Sequence, residues 1–246
     1  MISLTEVRGD IVRLPANAAD FEKTPARMGF VVLATDRGIE TELPRYFPDG
    51  FSFHVSRVSP YFELSEAEAL AAIRSAASLL LPGAHLSAIG YGCSSGGFLL
   101  NEASIVEALT AGRPETPAVT VKRAIIDALQ TARIETISLL TPYDHALTET
   151  VVRGFAEAGI SIAKAGFLDL ASDDEIAGLS PERIAQCAIS LDSSRSEATV
   201  ILCNALQAAG AIGKIAETTA KPVFSSTGTL VAKCINLISC QHPHHR

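Results

Sequence analysis

Short apolar, β-branched runs alternate along the chain with longer stretches whose apolar positions recur every three to four residues. Six runs read as strands: MGFVVLA (28–34), FSFHVSRV (51–58), HLSAIGYG (85–92), ETISLLT (135–141), ISIAKAGFL (160–168) and ATVILCN (198–204). Several are apolar without alternation, as expected of parallel strands covered on both faces. Between them, residues 65–81, 120–133, 144–159 and 180–192 carry helical spacing. Ser65, Asp144 and Ser180 open three of these stretches and offer side-chain oxygens as N-caps. This alternation predicts an α/β fold with parallel sheets flanked by helices. The first 25 or so residues show no strong period and read as an extended arm.

The pattern also repeats itself. VVLATD ends at Thr35 and Asp36, and SLLTPYD contains Thr141 and Tyr143. Thr35 lies 58 residues before Cys93, and Thr141 lies 62 residues before Cys203. Each Thr follows an apolar strand, and each Cys stands at or just after the end of another. Two similar halves, each giving a Thr loop and a Cys loop, account for the spacing.

Composition narrows the function. With 246 residues, 48% hydrophobic and 19% charged, the chain has the make-up of a compact globule rather than a disordered one. A net charge of −7 argues against a non-specific nucleic-acid surface. Arg74 and Lys233 break the longest apolar runs, so no membrane span is expected. The start, MISLTEVRGD, lacks the basic-then-apolar character of a signal peptide, which predicts a cytoplasmic protein. The five cysteines then read as thiols rather than disulfides.

Ligands of open α/β sheets bind beyond the carboxyl ends of the strands, where Cys93 and Cys203 both fall. A thiol at a helix N-terminus is expected to have a lowered pKa. Two such thiols facing one cleft suit removing a proton from one face of a carbon and returning one to the other. A single cysteine among apolar neighbours is by default a buried one, and Cys187, Cys234 and Cys240 are read so. In GYGCSSGG, Ser94, Ser95 and the backbone N–H groups of a turn can hold a carboxylate and stabilise an enediolate. The stretch is also compatible with an ordinary glycine turn. It is not a phosphate loop, since neither G-x-x-x-x-G-K-[ST] nor G-x-G-x-x-G is present. Tyr143 either donates into the same cleft or packs at its rim. Cys234, Cys240, His242, His244 and His245 crowd the C-terminus, but a C-x5-C spacing is not a usual zinc knuckle, and no metal site is expected. Asp144 and His145 adjoin, but no G-x-S-x-G elbow accompanies them.

GYGCSSGG, LLTPY, ILCNAL and KPVFSSTGTL, in this order and spacing, resemble the aspartate/glutamate racemase superfamily, in the branch of maleate cis-trans isomerases, arylmalonate decarboxylases and ectoine-utilisation proteins. The resemblance runs from about Arg27 to Cys240, and LATDRGIETE (33–42) is most similar to the ectoine-utilisation subgroup. It implies two pseudo-symmetric α/β domains with the active site in the cleft between them. Residues 26–118 with 223–246 would form one and 119–222 the other, after an arm of 1–25. It further implies chemistry without a cofactor. Cys93 and Cys203 become paired acid/base thiols, with Thr35, Asp36, Ser94, Ser95, Tyr143 and the backbone at Asn204 holding the substrate. A homo-oligomer, a dimer or higher, is expected.

Departures from the family pattern refine the expectation. Decarboxylases of this branch lack the first cysteine, so Cys93 argues against decarboxylation. Maleate isomerases usually carry Asn in the first loop, where this chain has Thr35-Asp36. A carboxylate repels a second substrate carboxylate and attracts an ammonium, although Arg37 beside it can reverse that sign. Cys203-Asn204-Ala205 lacks the Thr-His or Thr-Glu that often follows in amino-acid racemases. The expected function is a two-cysteine racemase or epimerase acting on a small, amino-bearing carboxylate, with ectoine degradation as the subgroup's context. The alternatives are cis-trans isomerisation through addition of Cys93, or a non-catalytic metabolite-binding protein.

Overall fold

The computed structural model describes residues 25–241, so residues 1–24 of the expected arm (1–25) and His242, His244 and His245 lie outside the described residues. Two four-stranded parallel sheets form the framework. The first has the order β2-β1-β3-β4, with β1 Ala26–Leu33, β2 Phe51–Val58, β3 Ala88–Tyr91 and β4 Ala118–Thr120. The second repeats it as β6-β5-β7-β8, with β5 Thr136–Thr141, β6 Ser161–Phe167, β7 Ala198–Ile201 and β8 Val223–Ser225. The fold is thus the expected pair of similar α/β halves.

The capping residues start their helices as the sequence predicts. Ser65 accepts the Glu68 N–H while the Glu68 carboxylate accepts the Ser65 N–H, opening α2 Glu66–Ser78. Asp144 Oδ1 accepts the Leu147 N–H at 2.7 Å at the head of α6 His145–Glu157. Ser180 does the same for α8 Pro181–Ser190. The helix expected at 120–133 is α5 Val121–Thr131.

Strand alternation then sorts side chains onto two faces. Met28, Phe30 and Val32 of β1 join Ile137 and Leu139 of β5 and Val200 of β7 in a central core that spans both halves. Val31 and Ile89 face outward onto α2 and α4 Glu102–Gly112. Leu140 and Ile201 face the opposite way, onto α8 and α9 Ala209–Thr219. The last helix, α10 Ser226–Gln241, returns from β8 to pack on β3, β4 and α5. Cys234 is buried in that packing, within the central core. No helix among the described residues is long and apolar enough to cross a membrane.

Eight strands and α-helices have no counterpart in the periodicity of the sequence: α1 Ile39–Glu42, α3 Ser94–Leu99, α4, β4, α7 Asp173–Ala177, β8, α9 and α10. Most are only three to six residues long, too short to show a period. In α9, Gly210 and Gly213 dilute the pattern.

Candidate active site

The loops leaving the carboxyl ends of β1, β2, β3, β5, β6 and β7 open on one cavity of about 410 Å³. Thr35 and Asp36 come from the end of β1, and Tyr61, Phe62 and Glu63 from the end of β2. Cys93, Ser94 and Ser95 follow β3, and Tyr143 follows β5. Leu170 to Asp173 follow β6, and Cys203, Asn204 and Ala205 follow β7. All eight residues singled out from the sequence therefore meet on one wall system.

The two cysteines occupy equivalent positions. Val31 pairs with Tyr91 and Leu140 with Ile201, and each cysteine stands two residues beyond the second member of its pair. The next residue repeats the match: Gly92 donates its N–H to Val31 O, and Leu202 donates to Leu140 O. The threonines are not equivalent. By the same register Thr141 matches Val32, lies inside β5, and is buried with its hydroxyl on Thr148. Thr35, beyond the end of β1, reaches the cavity; Thr141 does not line it.

Cys93 is the N-cap of α3, and its Sγ accepts the Gly96 N–H at 3.3 Å. Ser95 Oγ lies 3.6 Å from the same sulfur, and the buried Tyr91 hydroxyl also bonds it. Cys203 is held differently. Its φ of +86° is in the left-handed region, which costs a non-glycine residue energy and persists only where surroundings enforce it. The expected lowering of the thiol pKa values does not occur. Burial pushes Cys93 up to about 11, outweighing its hydrogen-bond donors. Burial and the Asp36 charge push Cys203 further up. Removing charge from water costs more here than the first turn of a six-residue helix returns.

A buried polar network joins the two cysteine loops. Ser94 Oγ donates to Asn204 Oδ1 at 3.1 Å and lies 2.8 Å from Ser226 Oγ, while Asn204 Nδ2 donates to Thr227 Oγ1 at 3.3 Å. With the Ser94 proton given to Asn204, Ser226 is the donor to Ser94. The Asn204 side chain is committed to this network, which leaves its backbone to face the cavity. Tyr143 bonds Ser94, and burial raises its hydroxyl well above the usual value. Ser95 is the serine turned to the thiol, where it also meets Tyr61, whose hydroxyl burial pushes up to about 12. Tyr61 has no motif around it in the sequence; its place just past β2 is the one signal that it reaches a ligand site.

Asp36 is buried, and its Oδ1 accepts the N–H groups of Gly38 and Ile39, both at 2.9 Å. Burial raises its pKa against those bonds. Arg57 ties the same loop by donating to the carbonyls of Leu33, Ala34 and Asp36. Arg37 turns to the surface, where it pairs with Asp174 at 2.9 Å, and does not offset Asp36 within the cavity. Among the described residues, the charged members of the wall are Asp36, Glu63 and Asp173, with no Lys, Arg or His beside them.

Glu42, behind this wall, adds a pH-dependent cost. Burial raises its carboxyl from 4.5 to about 7, against the Ala209 N–H, the Thr227 hydroxyl and Arg45. The folded state therefore keeps a proton that the unfolded chain has already lost. Stability is undiminished below about pH 4.5 and falls as pH rises to about 7, by roughly 3 kcal/mol for a shift of this size. Melting profiles between pH 5 and 8 should show this decline in the wild type, and Glu42→Gln should flatten it.

The sequence profile of the arylmalonate decarboxylase family (Amdase) matches residues 68–244. The chain belongs to the arylmalonate decarboxylase family. Its relatives are enzymes, and so is this family member. The maleate isomerase of Nocardia farcinica is 28% identical over 189 residues, spanning 72% of this chain and 75% of its own. The maleate isomerase Iso of Pseudomonas putida S16, solved as a Cys-to-Ala variant with maleate, superposes with a TM-score of 0.77 at 22% identity, covering 87% of this chain and 92% of its own. A Cys-to-Ser mutant of the Nocardia farcinica maleate cis-trans isomerase, carrying a covalently bound succinylcysteine intermediate, gives 0.76 at 23% identity, covering 87% and 93%. These structures share the two-domain fold of this family member.

Proposed function

We propose that this enzyme is a cofactor-independent two-cysteine isomerase that racemises or epimerises a small carboxylate bearing an amino group. The observation that carries the reading is a pair of register-equivalent thiols opening on one cavity whose charged wall is wholly acidic. One cysteine, as thiolate, takes the α-proton, and the other, as thiol, delivers a proton to the opposite face, so the two exchange roles at each turnover. The enediolate is held by Ser95, by Tyr143 once its hydroxyl turns from Ser94 to the substrate, and by the N–H groups of Ser94 and Ser95, which have no partner within their own helix.

Asp36 supports the amino group in two ways. An ammonium beside it replaces lost hydration with an ion pair. The Asp36 charge also raises the pKa of both thiols, so an ammonium that neutralises it favours the thiolate as the substrate arrives. A dicarboxylate gains neither benefit. Cys93, with its three donors, argues against simple decarboxylation and for a reactive sulfur at this position.

A second reading rests on the relatives. In it Cys93 adds to a carbon–carbon double bond, the resulting single bond rotates, and elimination of the thiolate returns the other isomer, as the curated maleate isomerases suggest. Incubation in D2O with amino acids, N-acetylated diamino acids and maleate, followed by NMR, separates the two. Exchange of an α-proton in an amino-bearing compound is expected. Conversion of maleate to fumarate without such exchange would replace the first reading with the second.

A further inference from the structure

Glu42 is the buried acid that the proposed chemistry leaves unused. It is 1% exposed and absent from the cavity wall. Its Oε1 accepts the N–H of Ala209, the first residue of α9, across 167 positions of sequence. Its Oε2 is buried without a hydrogen-bond partner. The same segment touches the second half again: a Cβ on Gly38 would sit 2.2 Å from the Ala205 carbonyl oxygen, so the two backbones are in direct contact. Both contacts lie just after Cys203, two and six residues on, and Cys203 itself is held at φ +86°. The Thr227 hydroxyl lies against Glu42 and accepts from Asn204, the residue after Cys203. A carboxyl group buried with one oxygen unpaired is costly to the fold, and ionising it costs more.

We propose that Glu42 is a positioning residue for Cys203, pinning the start of α9 onto the first half and so holding the strained loop that presents this thiol to the cavity. The proposal rests on the reading of Cys203 as one of the two working thiols. Without the pin, the loop relaxes from its left-handed conformation and the thiol loses burial.

The test labels the full chain with iodoacetamide at pH 8 and reads Cys93 and Cys203 separately by peptide mass spectrometry. In Glu42→Ala, Cys203 should be alkylated at least tenfold faster while Cys93 stays within twofold of wild type. Glu42→Gln keeps an acceptor for the Ala209 N–H and should hold both rates within threefold. An unchanged or slower Cys203 in Glu42→Ala, an equal rise at both thiols, or a tenfold rise in Glu42→Gln would each overturn the proposal. Should Glu42→Ala fail to fold, Glu42→Asp, which withdraws the acceptor by one methylene, is judged by the same criteria. Labelling needs no substrate, so failure of the isomerase reading in D2O leaves this result intact, and the reverse also holds.

Discussion

Replacing either thiol should abolish net isomerisation. Cys93→Ala and Cys203→Ala are each expected to lower turnover by about 10³-fold or more, because a positioned acid or base contributes roughly 10²–10⁴ and here each turnover needs both. The two losses differ in kind. Each variant keeps one sulfur on one face of the substrate carbon, so α-proton exchange with D2O survives for one enantiomer and disappears for the other. The equivalent placement of the two residues past β3 and β7 makes the residual exchange opposite in handedness for the two variants. NMR of each enantiomer in D2O reads this directly. Full turnover in both variants would remove the two-thiol mechanism.

Asp36→Asn should redirect the cavity. Asparagine keeps an oxygen for the Gly38 and Ile39 N–H groups, so the loop retains its turn while the charge disappears. A unit charge about 4 Å from a ligand charge in a partly buried site is worth roughly 4 kcal/mol. The ratio of kcat/KM between an amino-bearing substrate and a dicarboxylate should therefore fall by about 10³-fold. A second readout needs no substrate. Because Asp36 raises both thiols, its neutralisation lowers them, and alkylation of Cys93 and Cys203 at a fixed pH should accelerate. An unchanged substrate ratio would show that the ammonium is not bound at Asp36.

Much of the framework is legible without coordinates. Six strands and four helices follow from apolar spacing, and Ser65, Asp144 and Ser180 cap the helices they were expected to cap. Cys93 and Cys203 stand out because both sit at strand ends a matched distance along a repeated pattern. The matching of Thr35 with Thr141 fails because it counts residues along the chain, whereas equivalence is set by hydrogen-bond register between neighbouring strands. Tyr61 has only its place just past β2 and Glu42 no local signal, since what makes each notable is a partner more than thirty residues away.

What the sequence determined by itself is therefore local: period, caps, strand ends and the residue types available at them. These depend on neighbours within a few positions, which are always present. The tertiary structure alone decided the quantities that depend on solvent exclusion and distant pairing. It committed Ser94 and Asn204 to each other, sent Arg37 to the surface, and left Asp36, Glu63 and Asp173 as the charged wall. It also reversed the expected shift of both thiols, because burial by residues far apart in sequence outweighs a nearby helix terminus.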